Sequence, residues 1–257
     1  VVNLFDTHVH LNDANFNDDR EEVIRRAGAA GVAYLINVGI SLESSLESIR
    51  LAEKYDFIYA AIGIHPHNAV DAGPGYLERL EKLAAHPRVV ALGEMGLDYY
   101  RDLSPRPVQQ ELFREQLKLA KKLRLPVIIH DREAHGDILD ILRREGAGLP
   151  GGVLHCFSGS WEMAAECLAM GLYISIAGPV TFPKAPRLKD IAGRIPPERL
   201  LVETDAPYLT PVPYRGKRNE PARVAYVVEE IARIRGVDKE MLAKKCTDNG
   251  KRLFQIT

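Results

Sequence analysis

Eight histidines and a few carboxylates carry most of the chemistry available to this 257-residue chain. His8 and His10 form an H-x-H pair, and residues two apart in extended backbone point to one face, so both rings can approach one cation. At long intervals there follow His65 and His67, Glu94 and Asp98, His130, His155, and the pair Glu203 and Asp205. Neutral imidazole and carboxylate suit Zn²⁺, Mn²⁺ and similar ions, with Mg²⁺ favoured where carboxylates dominate. Two divalent ions about 3.5–4 Å apart would use the set fully. His8, His10 and Asp205 would hold one, His130 and His155 the other, and Glu94 would bridge them with one oxygen on each. A single ion is the alternative these residues leave open. A two-ion centre acidifies a shared water and stabilises charge on an attacked phosphorus and its leaving oxygen.

Such residues need a frame to bring them together. Short apolar runs rich in β-branched residues occupy 3–7, 33–39, 57–63, 89–93, 126–130, 152–156, 172–177 and 200–204. They are mostly continuous rather than alternating, the pattern of parallel strands covered on both faces. Helical periodicity fills the intervals 18–30, 41–55, 76–85, 106–124, 134–146, 160–170 and 186–193, and two more helices fit 220–235 and 238–254. Eight strand–helix alternations in a chain of this length predict an α/β fold, the (β/α)8 or TIM barrel. No G-x-G-x-x-G follows the first run, which disfavours a dinucleotide-binding open sheet. The histidines and acids fall at or just beyond the C-terminal ends of the runs, where barrels assemble their sites. No linker or repeat divides the chain, so one domain over 1–257 is expected.

Basic and acidic residues number 34 and 35, a formal net charge of -1 that excludes a broad polycationic clamp but allows a local basic pocket. The three cysteines suggest neither a disulfide framework nor a zinc finger. No apolar run is long enough to span a membrane, and no signal-peptide pattern opens the sequence, so a cytoplasmic location without membrane association is expected.

Arg132, two residues beyond His130, is the leading phosphate clamp, because its planar fork suits bidentate contact. Arg215, Lys217 and Arg218 would raise the local positive potential, and Asp98 is a further candidate substrate contact. Of Tyr99, Tyr100, Tyr208 and Tyr214, one or two could stack on a splayed base, with Tyr208 the first choice. Alternation from His155 points the Cys156 thiol away from the site. Ser158 lacks the G-x-S-x-G elbow of a hydrolase nucleophile.

Taken together, FDTHVHL at 5–11, GIHPH at 63–67, GEMGLDYY at 93–100, HDRE at 130–133, HCFSGS at 155–160, ETDAPYLTP at 203–211 and RGKRNEP at 215–221 closely resemble the TatD family of metal-dependent deoxyribonucleases. TDNGKRLF at 247–254 is similar to that family's ending. The resemblance implies a distorted (β/α)8 barrel and hydrolysis of DNA phosphodiesters, often 3′-to-5′ on single strands or DNA ends. It implies His8, His10, Glu94, His130, His155 and Asp205 as metal ligands, with Glu94 where related amidohydrolases carry a carboxylated lysine. It also implies a site role for His65, proton transfer by Asp205, and a place for Glu203 at an additional or alternative ion.

Two other readings compete. One is hydrolysis of a different phosphoester, or of an ester or amide on a nucleic acid such as an aminoacyl-tRNA. The other is a metal-binding interaction protein without catalysis. The residues do not fix an oligomeric state.

Overall fold

The structure is a computed structural model and describes residues 3–257. Eight parallel strands pair side by side in chain order: β1 (Leu4–Val9), β2 (Val32–Val38), β3 (Ile58–Ile62), β4 (Val89–Asp98), β5 (Val127–Arg132), β6 (Gly152–Leu154), β7 (Tyr173–Ile176) and β8 (Leu200–Val202). Between them run α1 (Arg20–Ala29), α2 (Leu42–Lys54), α3 (Tyr76–Ala84), α4 (Arg106–Leu123), α5 (His135–Glu145), α6 (Trp161–Ala169) and α7 (Pro186–Arg194). After β8 come α8 (Val224–Arg235) and α9 (Lys239–Phe254). Local chemistry sets several boundaries. Ser41 and Ser44 form a reciprocal capping box that starts α2, while Ser160 and Asp238 cap the first turns of α6 and α9.

Apolar side chains sort into two layers. Leu35, Ile62, Leu92 and Ile129 pack outward against the helices. Phe5, Ile36, Ala61, Ala91, Ile128, Val153, Tyr173 and Leu201 fill the barrel interior, where Leu253, Phe254 and Ile256 at the end of α9 join them. The terminal helix therefore contributes to the interior packing as well as to the outer ring.

The barrel is not closed by a regular ladder. Between β8 and β1 there is one isolated parallel bridge, Val9 with Ala206. The seam is completed by single bonds: Asp205 N–H donates to the His8 carbonyl at 2.9 Å, and His10 N–H donates to the Ala206 carbonyl at 2.8 Å. Buried Asp6 accepts from Thr204 N–H at 2.9 Å and from its hydroxyl at 2.5 Å. These bonds place the H-x-H pair directly against Asp205.

Three strands run further than the apolar runs suggest. β1 includes His8, β4 continues through Glu94 to Asp98, and β5 reaches Arg132. Glycine makes the β4 extension possible. A Cβ on Gly93, at φ 145°, would lie 2.6 Å from the Ile128 carbonyl oxygen, and one on Gly96, at φ 142°, would collide with the His130 carbonyl. The close approach of β4 to β5 includes a register shift between Leu92 and Met95, and Glu94 lies inside it.

Candidate metal centre

Glu94 stands at the centre of the imidazoles, and its two oxygens face different groups. Oε2 lies 3.3 Å from His8 Nε2 and 3.5 Å from His10 Nε2. Oε1 lies 2.7 Å from His130 Nδ1, 2.8 Å from His155 Nε2 and 3.5 Å from His65 Nε2. Asp205 Oδ1 completes the first group, 3.7 Å from His8 Nε2 and 3.5 Å from His10 Nε2. Donor atoms close enough to share an ion form three overlapping sets: His8 with His10 and Glu94, His8 with His155 and Asp205, and His65 with Glu94 and His130.

The donor set fits divalent cations. It is nitrogen and carboxylate oxygen, which suits Zn²⁺ or Mn²⁺. Ring nitrogens face one another, His8 Nε2 with His10 Nε2 at 3.1 Å and His130 Nδ1 with His155 Nε2 at 3.2 Å. Such a pair can share only one proton, whereas both lone pairs can point at a cation.

Electrostatics lead the same way. Burial alone would raise Glu94, yet His155, His65 and His8 hold its carboxyl well below the ordinary range. Against the opposing effect of burial, Asp205 and Glu94 raise His10, Asp98 and Glu94 raise His130, and Glu94 and Glu203 raise His155. Burial lowers His8 and takes His65 down to about 4. The centre thus demands positive charge, which protons or a divalent cation can supply.

Other groups orient the rings. His10 Nδ1 lies 3.1 Å from the Val38 carbonyl, His155 Nδ1 lies 3.2 Å from Glu203 Oε1, and His130 Nε2 lies 3.1 Å from Asp98 Oδ2. Such partners fix which ring nitrogen faces an ion. Asp98 is thereby occupied: it also pairs with His67 at 2.9 Å and accepts from the Tyr100 and Arg101 backbone N–H groups. It buttresses His130 and also lines the cavity above the cluster. Glu203 belongs to none of the three donor sets; its Oε1 accepts from Cys156 N–H at 2.7 Å, and its buried Oε2 has no partner.

The cluster lies at the base of a cavity of about 930 Å³, whose lining includes Arg132, Tyr208 and Asp205. Arg132 stacks over Tyr100, with its guanidinium 4.2 Å from the ring centre. Tyr208 is 52% exposed and donates its hydroxyl to Asp13 Oδ2 at 2.9 Å, which fixes an open aromatic face beside His10. Arg215 and Lys217 lie outside the lining, the first 3.9 Å over the Phe182 ring and the second 6.0 Å over Tyr214. Arg218 is held by Asp19 through two bonds of 2.7 Å. Tyr99 and Tyr214 bond to Asp137 and Tyr226 respectively. The expectation for Cys156 is corrected: φ of 44° breaks the strand alternation, and the residue lines the cavity. Burial pushes its thiol up, so it is no ready nucleophile.

Comparison with known proteins bears on this constellation. Residues 5–255 match the family described as TatD related DNase. This chain belongs to the TatD family. It is 50% identical over 253 residues to an uncharacterized metal-dependent hydrolase, YabD, of Bacillus subtilis, covering 98% of this chain and 99% of that protein. It is 41% identical over 259 residues to the 3′-5′ ssDNA/RNA exonuclease TatD of Citrobacter rodentium, covering 99% and 98%. The crystal structure of YjjV, a TatD homolog from Escherichia coli, superposes with a TM-score of 0.93 at 35% identity, covering 99% and 98%. This TatD-family chain is a metal-dependent hydrolase built on a nearly closed (β/α)8 barrel. No helix among the described residues is long and apolar enough to cross a membrane.

Proposed function

We propose that this protein is a metal-dependent exonuclease that removes nucleotides from the 3′ ends of single-stranded DNA, or of RNA, within one domain of residues 1–257. The observation that carries this reading is the divided carboxylate of Glu94 at the base of a cavity that also presents Arg132 and Tyr208. His8, His10 and Asp205 would hold one divalent ion and His65, His130 and His155 a second, with Glu94 common to both. When bound, such ions supply Lewis acidity toward water and phosphoryl oxygen.

The chain's own groups do the rest. Arg132 binds the phosphate through its guanidinium fork, held in place by Tyr100 beneath it. The open face of Tyr208 stacks on a base, a contact that tolerates any sequence. Asp205 lines the cavity and is ionised: His10, His8 and His155 keep its carboxyl low despite burial. It accepts the proton that the attacking water releases. The name of the 41%-identical relative supports the choice of substrate and polarity.

Hydrolysis of bis(p-nitrophenyl) phosphate by the metal-loaded enzyme and by Glu94→Ala tests the catalytic assignment. Activity should fall by at least about 100-fold in the variant and disappear with a chelator. Equal turnover by both proteins would overturn it.

A further inference from the structure

We propose that Lys184 and Arg187 form a second phosphate-binding element beside the metal centre, so that the enzyme grips a polynucleotide rather than a terminal phosphate alone. The proposal rests on the phosphodiester reading above. Both residues lie in the connection from β7 into the first turn of α7, are exposed, and line the same cavity as Arg132.

Strand order makes the two basic positions neighbours on one sector of the mouth. Arg132 ends β5, the Phe157–Ser158 loop follows β6, and Lys184 and Arg187 follow β7. Arg187 is tied to the middle of that sector by donating to the Ser158 carbonyl at 3.0 Å. None of Arg132, Lys184 and Arg187 forms an ion pair with an acid of the described residues, whereas Arg218 on the β8 loop is neutralised by Asp19. Three acids outside the cluster also line the cavity: Asp131, which faces His135, Glu133, and Asp13, which keeps its charge because its partner Tyr208 is neutral and which lies on the Tyr208 side. The open aromatic face belongs to Tyr208, after β8 and beside β1.

The cavity therefore has a cationic side over β5–β7 and a stacking side at the β8/β1 seam. A strand whose backbone follows the first side and whose bases turn toward the second matches both. Arg132 can hold one phosphate, and the cations that follow β7 offer a place for another phosphate of the same molecule. Single-strand binding generally combines a basic track with aromatic platforms.

The test is binding without turnover: fluorescence anisotropy of a cleavage-resistant, phosphorothioate-linked decathymidylate with metal-loaded protein, across a salt series. Lys184→Ala/Arg187→Ala should raise Kd at least about tenfold and reduce the slope of log K against log salt by about 1.4, two single-strand phosphate contacts. Arg79→Ala/Lys82→Ala removes the same charge from exposed positions on α3 and should change Kd less than twofold. Equal losses in the two double variants, or no loss in the first, would overturn the proposal. If the decathymidylate binds as predicted but natural DNA is not cleaved, the exonuclease reading fails while the phosphate track stands. If the wild-type protein does not bind it, both fail.

Discussion

Glu94 is ionised although burial opposes it, and three of the imidazoles near it, His10, His130 and His155, hold protons more tightly than free histidine. A metal ion entering this centre must displace those protons. Because these three groups are raised above the usual 6.5, competition extends above that pH and weakens as pH rises through their folded-state values. One proton displaced per ion makes binding tighten about tenfold per pH unit, or about 100-fold from pH 6 to pH 8. Calorimetric Zn²⁺ titration at the two pH values checks this, and equal affinity would contradict it. Glu203→Ala removes the partner of His155 Nδ1 and should weaken binding at pH 8 by about 10–100-fold in the same titration. The clustering of His8, His10, Glu94, His130, His155 and Asp205 is legible from residue type and spacing, whereas His65 is singled out only by the family resemblance. Their supports are not legible, because a carboxylate behind a ring and one in front of it look alike in sequence: Asp98, which lines the cavity, also holds His130 and His67. Cys156 misleads for another reason, since a single residue at positive φ cancels the alternation from which its orientation is read.

At the scale of elements, the eight apolar runs and nine helical segments all reappear, with ends displaced by a few residues. Continuous β-branched runs and leucine periodicity suffice for that. The end that moved most belongs to β4, where Gly93 and Gly96 permit backbone contact with β5 that no local propensity encodes. The irregular β8/β1 seam was equally hidden, because it depends on long-range bonds such as Asp6 to Thr204. The floor of the barrel interior makes a prediction of its own. Phe254 is 2% exposed and its ring centre lies 6.0 Å from that of Phe5, within the interior layer to which every strand contributes. Phe254→Ala should cost about 3–5 kcal/mol of stability in urea unfolding. Zn²⁺ affinity should hold, since the donors sit at the opposite ends of the strands. Loss of metal binding in the folded variant would show that the two ends of the barrel are coupled.

For the whole molecule, a formal net charge of -1 coexists with a mouth that concentrates Arg132, Lys184 and Arg187 beside an acid-and-imidazole centre. Composition excludes a polycationic clamp, and a local track needs few charges. Which basic residues form it was not legible: Arg215, Lys217 and Arg218 cluster in sequence but turn to Phe182, Tyr214 and Asp19, whereas Lys184 and Arg187 carry no motif of their own. Chain order around the barrel, not proximity in sequence, brings them to the site. Hydrolysis from the 3′ end is decided by a time course on single-stranded DNA labelled at either end. The metal-loaded enzyme should release the 3′ label at once while shortening the 5′-labelled strand one nucleotide at a time, and neither event should occur with Glu94→Ala or a chelator. Immediate release of the 5′ label, or no cleavage with Mg²⁺, Mn²⁺ or Zn²⁺, would rule out a 3′-to-5′ exonuclease.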